Sequence, residues 1–141
     1  MLETIKQNNA TRIVPVCKGI GDKHSKALIS LNGAGSSMKW GGENYEEIEI
    51  ITLDSYVKAN KIEVGFIKVD IEGFEQEFLK GAMETIKSQK PAMLISIYHS
   101  VSDFFDIKPL LESWNLGYRF RIGKPIDHDT LMECALFCEV V

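Results

Sequence analysis

The sequence has few cysteines, no long hydrophobic run and no excess of basic charge. Its three cysteines, Cys17, Cys134 and Cys138, are odd in number and lack Cys-x-x-Cys spacing, which predicts neither a disulfide framework nor a zinc ribbon. No apolar run approaches the ~20 residues of a membrane-spanning helix, and the N-terminus MLETIKQNNATR lacks the pattern of a signal peptide. The net charge of -4 provides no basic surface for a phosphate backbone. We therefore expect reduced thiols and a cytoplasmic protein that binds neither membrane nor nucleic acid.

With 141 residues, of which 45% are hydrophobic, the chain has the size and apolar content of a single globular domain. Its first third is predicted to contain short strands at RIVPV (12–16), KALISL (26–31) and IEIITL (48–53). Asp54 is placed to cap a short helix that ends at Asn60, because its carboxylate can accept from free N–H groups of the first turn.

The middle of the chain predicts a strand, a helix and a second strand. Residues 66–71 form an apolar, β-branched run typical of a parallel strand covered on both faces, and residues 92–98 form another. Between them, apolar residues recur at three- and four-residue steps from Phe74 to Ile86, which places them on one helix face. Gly81 inside this helix predicts close packing at that point. Strand, helix and strand in this order predict a right-handed parallel crossover.

The end of the chain predicts a further helix and an antiparallel pair of strands. Residues 106–115 fit a helix with Pro109 in its first turn and Gly117 at its end. The alternating run 118–122 and the run 134–141 predict two strands that pair across the loop between them. We thus expect an α/β fold with a mostly parallel sheet and an antiparallel C-terminal strand pair.

The predicted central strand ends in an unusual density of charge. Lys68, Asp70, Glu72 and Glu75 lie within the segment IKVDIEGFE, where burial would be costly without pairing. The next strand ends at His99. Because ligands of open α/β sheets bind beyond the carboxyl ends of the strands, we expect these two strand ends to face one crevice.

Three interpretations of Asp70, Glu72 and His99 compete. Carboxylates ahead of a helix are often caps, so the spacing fits a structural role for Asp70 and Glu72 as well as a functional one. The three side chains could instead supply a general base. A metal site of a hydrolase is the weakest interpretation, because no second histidine is placed to help, and we predict no metal.

The stretch 51–100 closely resembles the FkbM family of S-adenosylmethionine-dependent methyltransferases. Members of that family have an LD pair before a short helix, then a K-x-D-x-E-G-x-E run and an LKGA segment. The matching residues here are Leu53, Asp54, Lys68, Asp70, Glu72, Gly73, Glu75, Leu79, Lys80, Gly81 and Ala82. The earlier VCKGIGD resembles the family's turn after the third strand, with Gly19 where alanine is usual. The K-x-D-x-E-G-x-E core is fairly specific because four charged positions and a glycine must agree.

The resemblance implies methyl transfer from S-adenosylmethionine, usually to a hydroxyl of a small-molecule acceptor that is a sugar, a lipid or polyketide-like. Asp70 would lie near the methionine part of the cofactor, and the turn with Gly19 and Asp22 would border the adenine. We hypothesise that Asp70, Glu72 or His99 orients or deprotonates the acceptor hydroxyl, while Lys68 sets their charge balance.

Part of the family's pattern has no counterpart in this sequence. A methyltransferase of this class opens with a strand and a glycine-rich turn, then a strand ending in an acidic residue, and neither precedes Ile13. The chain therefore resembles the C-terminal part of the domain, a partial class I methyltransferase (Rossmann-like) sheet whose family order resembles 3-2-1-4-5-7-6. We expect the strands at 12–16 and 26–31 to close onto the exposed edge, or the chain to form a homodimer through that edge or to need its missing half.

Two functions stay open on this evidence. The chain is either the acceptor-side half of a methyltransferase, inactive alone as a fragment, or a non-catalytic remnant domain that acts in assembly or binding.

Overall fold

A computed structural model describes residues 2–30, 45–124 and 133–140 of the chain. The helices are α1 (Leu2–Gln7), α2 (Leu53–Asn60), α3 (Glu75–Gly81), α4 (Met83–Gln89) and α5 (Val101–Ser113). The strands are β1 (Gly19–Ile20), β2 (Ser25–Ser30), β3 (Tyr45–Ile51), β4 (Phe66–Val69), β5 (Ala92–Ser96), β6 (Tyr118–Gly123) and β7 (Ala135–Val140). Within these ranges, every helix is too short or too polar to cross a membrane.

The strands form two sheets, ordered β1-β3-β2 and β4-β5-β7-β6. Strands β4 and β5 are parallel, and β7 runs antiparallel to both β5 and β6. In the smaller sheet, β1 is parallel and β2 antiparallel to β3. The α/β class and the antiparallel C-terminal pair are confirmed, but the expected mostly parallel sheet is wrong because both sheets are mixed. A parallel pair needs a crossover connection, which α3 and α4 provide between β4 and β5.

The expectation that two N-terminal strands close onto the edge of β4 is wrong. Residues 12–16 form no strand, and β2 pairs with β3 in the other sheet. Pro15 has no N–H to donate to a ladder, and Val14 is 78% exposed, so this segment has little to hold it in a sheet. Among the described strands β4 pairs with β5 alone, and a homodimer through the free edge of β4 stays a prediction.

Strand β4 is covered on one face, not on both as its apolar run predicted. Ile67 and Val69 are buried, whereas Phe66 is 62% exposed and Lys68 is also exposed. The buried face of β4 packs with residues of the neighbouring strands and of α3 to α5. This core contains Ile67, Val69, Phe78, Leu79, Ala82, Ile86, Met93, Ile95, Ile97, Ile107, Leu111, Leu136 and Cys138.

The predicted crossover helix is two helices, α3 and α4, which meet at Ala82 (φ -114°, ψ 0°). The predicted close packing at Gly81 is confirmed. A Cβ added to Gly81 would lie 2.0 Å from the carbonyl oxygen of Gly21. The end of α3 therefore contacts the backbone of the turn that follows β1.

The prediction that Asp54 caps its own helix is wrong. Thr52 is the N-cap of α2, and its Oγ1 accepts from the Ser55 N–H at 3.1 Å. The Asp54 carboxylate instead accepts from the N–H groups of Glu84 and Thr85 at 3.1 and 2.8 Å, at the start of α4. The LD pair thus joins α2 to α4.

Helix α5 begins five residues earlier than 106, at Val101, so the predicted helix start is wrong. Ser100 is its N-cap and accepts from the Asp103 N–H at 3.0 Å. Pro109 consequently lies inside the helix and not in its first turn. A serine that can cap the helix directly after β5 outweighs the helix-start preference of proline.

Candidate functional site

The turn after β4 brings acidic side chains to the start of α3. Glu72 and Gly73 both have left-handed backbone conformations, with φ of 55° and 92°. Glycine adopts this conformation without strain, but for glutamate it is uncommon and such strain is concentrated at functional sites. The Ile71 N–H donates to Glu75 Oε1 at 3.0 Å and closes the turn.

Glu75 and His99 form a buried hydrogen-bonded pair. Glu75 is 0% exposed, and its Oε1 accepts from His99 Nδ1 at 2.9 Å. Because a carboxylate can only accept, the pair places a proton on Nδ1 of His99. The first turn of α3 also favours the negative charge of Glu75 through the helix dipole. The pair therefore fixes both the orientation and the tautomer of His99.

The other ring nitrogen of His99 points at two more carboxylates. Nε2 lies 3.7 Å from Asp70 Oδ1 and 3.7 Å from Glu72 Oε2, distances beyond a hydrogen bond. This nitrogen is buried and has no hydrogen-bond partner among the described residues. The His99 side chain is 6% exposed, whereas those of Asp70 and Glu72 are 32% and 35% exposed. The two carboxylates thus lie between the histidine and the solvent.

Three neighbours hold Asp70 in its charged form. Lys68 Nζ donates to Asp70 Oδ2 at 3.2 Å, and the Tyr98 hydroxyl donates to Oδ1 at 3.3 Å. Burial alone would raise the pKa of Asp70, but hydrogen bonds from Ser96 and Lys68 outweigh it and lower that pKa. Burial, followed by the charge of Asp70, raises the pKa of Tyr98, so its hydroxyl stays a donor. Lys68 thus forms an ion pair with Asp70, and its role in the charge balance of the site stays a prediction.

Comparison with known proteins identifies the family of this chain. The family model for the methyltransferase FkbM domain matches residues 5–120. The chain belongs to the FkbM methyltransferase family. The crystal structure of methyltransferase FkbM from Methylobacillus flagellatus KT is similar to it, with 26% sequence identity and a TM-score of 0.70. That similarity covers 96% of this chain and 31% of the other, and no curated protein matches.

The resemblance to the FkbM family that the sequence predicted is therefore confirmed. This chain spans less than a third of the length of the solved structure. The order β4-β5-β7-β6 also agrees with the 4-5-7-6 half of the strand order expected for the family.

The structure does not bring Gly19 and Asp22 to the acidic cluster of this FkbM family member. The turn that contains them packs, through Gly21, against Gly81 at the end of α3, roughly 10 Å along the helix from Glu75. A Cβ on Gly19 would lie 2.4 Å from Ile50 Cδ1, so packing accounts for this glycine. The described residues thus form no glycine-lined cradle for S-adenosylmethionine, and the adenine contact of Gly19 and Asp22 stays a prediction.

A pocket of about 490 Å³ opens beside the cluster. His99 and Tyr98 contribute to its wall, together with Val101, Phe104 and Phe105 from the first turns of α5. The two phenylalanine rings pack edge to face, with centroids 5.2 Å apart, and Phe105 is 65% exposed. This volume lies in the range of pockets that bind small molecules.

Two buried acids of α3 and α5 were assigned no role from the sequence. Glu75 was noted only among the charges that follow the central strand, although its position in the first turn of a helix was a signal for an acceptor. Asp103 is 1% exposed, accepts from Gln76 Nε2 at 3.2 Å, and its Oδ2 has no hydrogen-bond partner in the described structure. The spacing Ser-x-x-Asp from Ser100 resembles a capping box and was the available signal.

Proposed function

We propose that this chain is the acceptor-side part of an S-adenosylmethionine-dependent methyltransferase that methylates a hydroxyl oxygen of a small molecule. Family membership supports methyl transfer. The observation that carries the acceptor chemistry is the cluster of Asp70, Glu72 and His99 at the ends of two neighbouring strands. The alternative of a remnant domain that acts only in assembly or binding is not favoured by the family match.

Bound S-adenosylmethionine supplies an electrophilic methyl group in such a reaction. The acceptor oxygen must lose its proton as it takes up that group, and a positioned base typically contributes about 10²–10⁴-fold to the rate. Asp70 and Glu72 are each about one-third exposed, so they can contact the acceptor hydroxyl. His99 lies behind them and is held in place by Glu75.

The neighbouring pocket favours an acceptor that is apolar next to its hydroxyl. The Tyr98 hydroxyl already donates to Asp70, and the Ser100 hydroxyl already caps α5. Sugar hydroxyls placed against Phe104 and Phe105 would lose water without gaining partners, which is costly. We therefore propose a lipid-like or polyketide-like alcohol as the acceptor class in preference to a free sugar.

A transfer assay with methyl-labelled S-adenosylmethionine tests this function. The chain is assayed within a protein that also contains the cofactor-binding half of the domain, with two panels of acceptors, long-chain alcohols and phenols in one and monosaccharides in the other. We expect labelled ether from the first panel, and a rate at least about 10²-fold lower for Asp70→Asn. Glu63→Gln changes an exposed carboxylate outside the cluster and should leave the rate unchanged. Transfer only to monosaccharides would contradict the acceptor class, and an unchanged rate for Asp70→Asn and Glu72→Gln would contradict the site.

The pocket can be tested separately with a matched pair of phenylalanines. Phe105→Ser removes an exposed ring from the pocket wall, whereas Phe66→Ser removes an equally exposed ring from the edge of β4. We expect Phe105→Ser to raise the KM for the alcohol several-fold and Phe66→Ser to leave it unchanged. Equal KM values in both variants would remove the pocket from acceptor binding.

A further inference from the structure

We infer that Asp70, Glu72 and His99 bind a divalent cation, with Glu75 positioning the histidine. This inference rests on the proposed function and deepens it, because the cation would bind the acceptor oxygen. It goes beyond the sequence, which offered no second histidine and therefore predicted no metal. Ligand atoms of Asp70, Glu75 and His99 all lie within 4.8 Å of one another, on residues drawn from two strand ends and the first turn of α3.

The buried Glu75 orients His99 as a metal ligand. Glu75 takes the Nδ1 proton at 2.9 Å, so Nε2 of the neutral imidazole carries a lone pair. A histidine that binds a metal through one nitrogen usually donates the other N–H to a carboxylate or carbonyl, which fixes the ring and makes the ligand more basic. The fully buried Glu75 provides that second interaction here.

The charges around Nε2 require a positive partner. This lone pair is buried, has no hydrogen-bond partner in the described residues, and faces carboxylate oxygens of Asp70 and Glu72, both 3.7 Å away. The Nε2 lone pair and each of these two carboxylate oxygens are electron-rich and repel each other in a site partly shielded from water. A proton on Nε2 would add one positive charge but, at 3.7 Å, would form no hydrogen bond with either carboxylate.

The distances fit a single bound ion. For metal–ligand bonds of about 2.1 Å, ligand atoms that subtend 90–120° at the metal lie roughly 3.0–3.6 Å apart, so shifts of a few tenths of an ångström would bring Asp70 Oδ1 and Glu72 Oε2 to that distance from His99 Nε2. Lys68 binds Oδ2 of Asp70, whereas Oδ1, which also accepts from the Tyr98 hydroxyl at 3.3 Å, lies 3.7 Å from His99 Nε2. One nitrogen and two carboxylate oxygens suit a first-row ion such as Mn²⁺, and three protein ligands leave positions open for water or substrate.

The cation would act on the acceptor hydroxyl. A hydroxyl bound to a divalent cation has a lowered pKa, so it releases its proton to water more readily and becomes a better nucleophile. Bound S-adenosylmethionine would supply the methyl group to this oxygen from its sulfonium sulfur, which would keep the electrons of the broken bond. Atoms and charge balance without any additional reactant.

Titration of the 141-residue chain with MnCl₂, followed by the electron paramagnetic resonance of free Mn²⁺, tests the site. We expect one saturable site whose affinity falls at least about 10-fold in Asp70→Asn and in His99→Gln. Glu75→Gln should weaken binding by about 10–100-fold although Glu75 need not contact the ion, because it orients the ligand. Glu63→Gln should bind as the unsubstituted chain does, and circular dichroism checks that each variant is folded.

A second readout locates the ion without relying on any variant. In ¹⁵N-labelled chain, substoichiometric Mn²⁺ should broaden the imidazole signals of His99 and leave those of the exposed His24 sharp. Absence of saturable binding, binding unaffected by Asp70→Asn and His99→Gln, or an unbroadened His99 would each overturn the inference. Methyl transfer that persists in EDTA would overturn the cation and keep the proposed function. Specific Mn²⁺ binding without transfer to any alcohol would keep the cation and count against that function.

Discussion

Replacing Glu75 and His99 by alanine, singly and together, should show that the two side chains are strongly coupled in stability. Glu75→Ala leaves two buried donors, the His99 Nδ1–H and the Ile71 N–H, without their acceptor. Each such loss costs about 1–3 kcal/mol, so the single substitution should lower the free energy of unfolding by about 2–6 kcal/mol. His99→Ala removes one of the two donors that compensate the buried carboxylate of Glu75. In the double variant the Glu75–His99 bond is already absent, so the two losses should not add.

The expected coupling is about 1.5–3 kcal/mol, the range of a hydrogen bond to a charged group. It is obtained from urea unfolding of the four proteins at neutral pH, with EDTA present so that no cation contributes to stability. The control cycle combines Glu75→Ala with Glu63→Ala, an exposed position whose effect should add within about 0.5 kcal/mol. A coupling below about 0.5 kcal/mol between Glu75 and His99 would refute the buried pair as the element that orients the histidine.

Three further predictions concern the frame of the site and its thiols. Gly81→Ala should destabilise the fold by about 1–3 kcal/mol, because the new Cβ meets a backbone oxygen at 2.0 Å, whereas Gly65→Ala has no atom within 4 Å and should change little in urea unfolding. Asp54→Ala should cost about 1–2 kcal/mol in the same assay because α4 loses the acceptor of two N–H groups, and unchanged stability would refute this cap. Burial raises the pKa of Cys138 to about 12. Iodoacetamide at pH 8 should therefore alkylate the exposed Cys17 and spare Cys138 until the chain unfolds. Cys138 found labelled in the folded chain by mass spectrometry would contradict this.

Helices and strands whose apolar residues recur at a regular spacing were predictable from the sequence. The apolar steps around Phe78, Leu79 and Ile86 gave the buried face of α3 and α4, since helical spacing alone decides which side chains share a face. The alternation at 118–122 likewise gave β6. Predictions that depend on distant partners failed. The local sequence around Asp54 is the same whether its carboxylate caps α2 or a helix thirty residues further along.

In the candidate site, too, the features set by local sequence were predictable and those set by distant partners were not. Asp70, Glu72 and His99 were expected together because parallel strands end at one edge of a sheet, and β4 and β5 do pair in parallel. The bond from His99 to Glu75 depends on a distance across that edge, which no sequence pattern encodes. The position of Gly19 relative to this cluster depends on how the two sheets pack, so it could not be predicted from the sequence either.

The carboxylates of the segment DIEGFE have two different roles, which are distinguished by the exposed fractions of their side chains. Glu75 is completely buried and already bonded twice through one oxygen, so replacing it disturbs the fold together with the chemistry. Asp70 and Glu72 are about one-third exposed, and charges near a surface contribute little to stability. Asp70→Asn should therefore leave the free energy of unfolding within about 1 kcal/mol of the original while removing both Mn²⁺ binding and methyl transfer. If Asp70→Asn instead lowered stability as much as Glu75→Ala does, its carboxylate would belong to the framework of the turn, and the cation site would lose its accessible ligand.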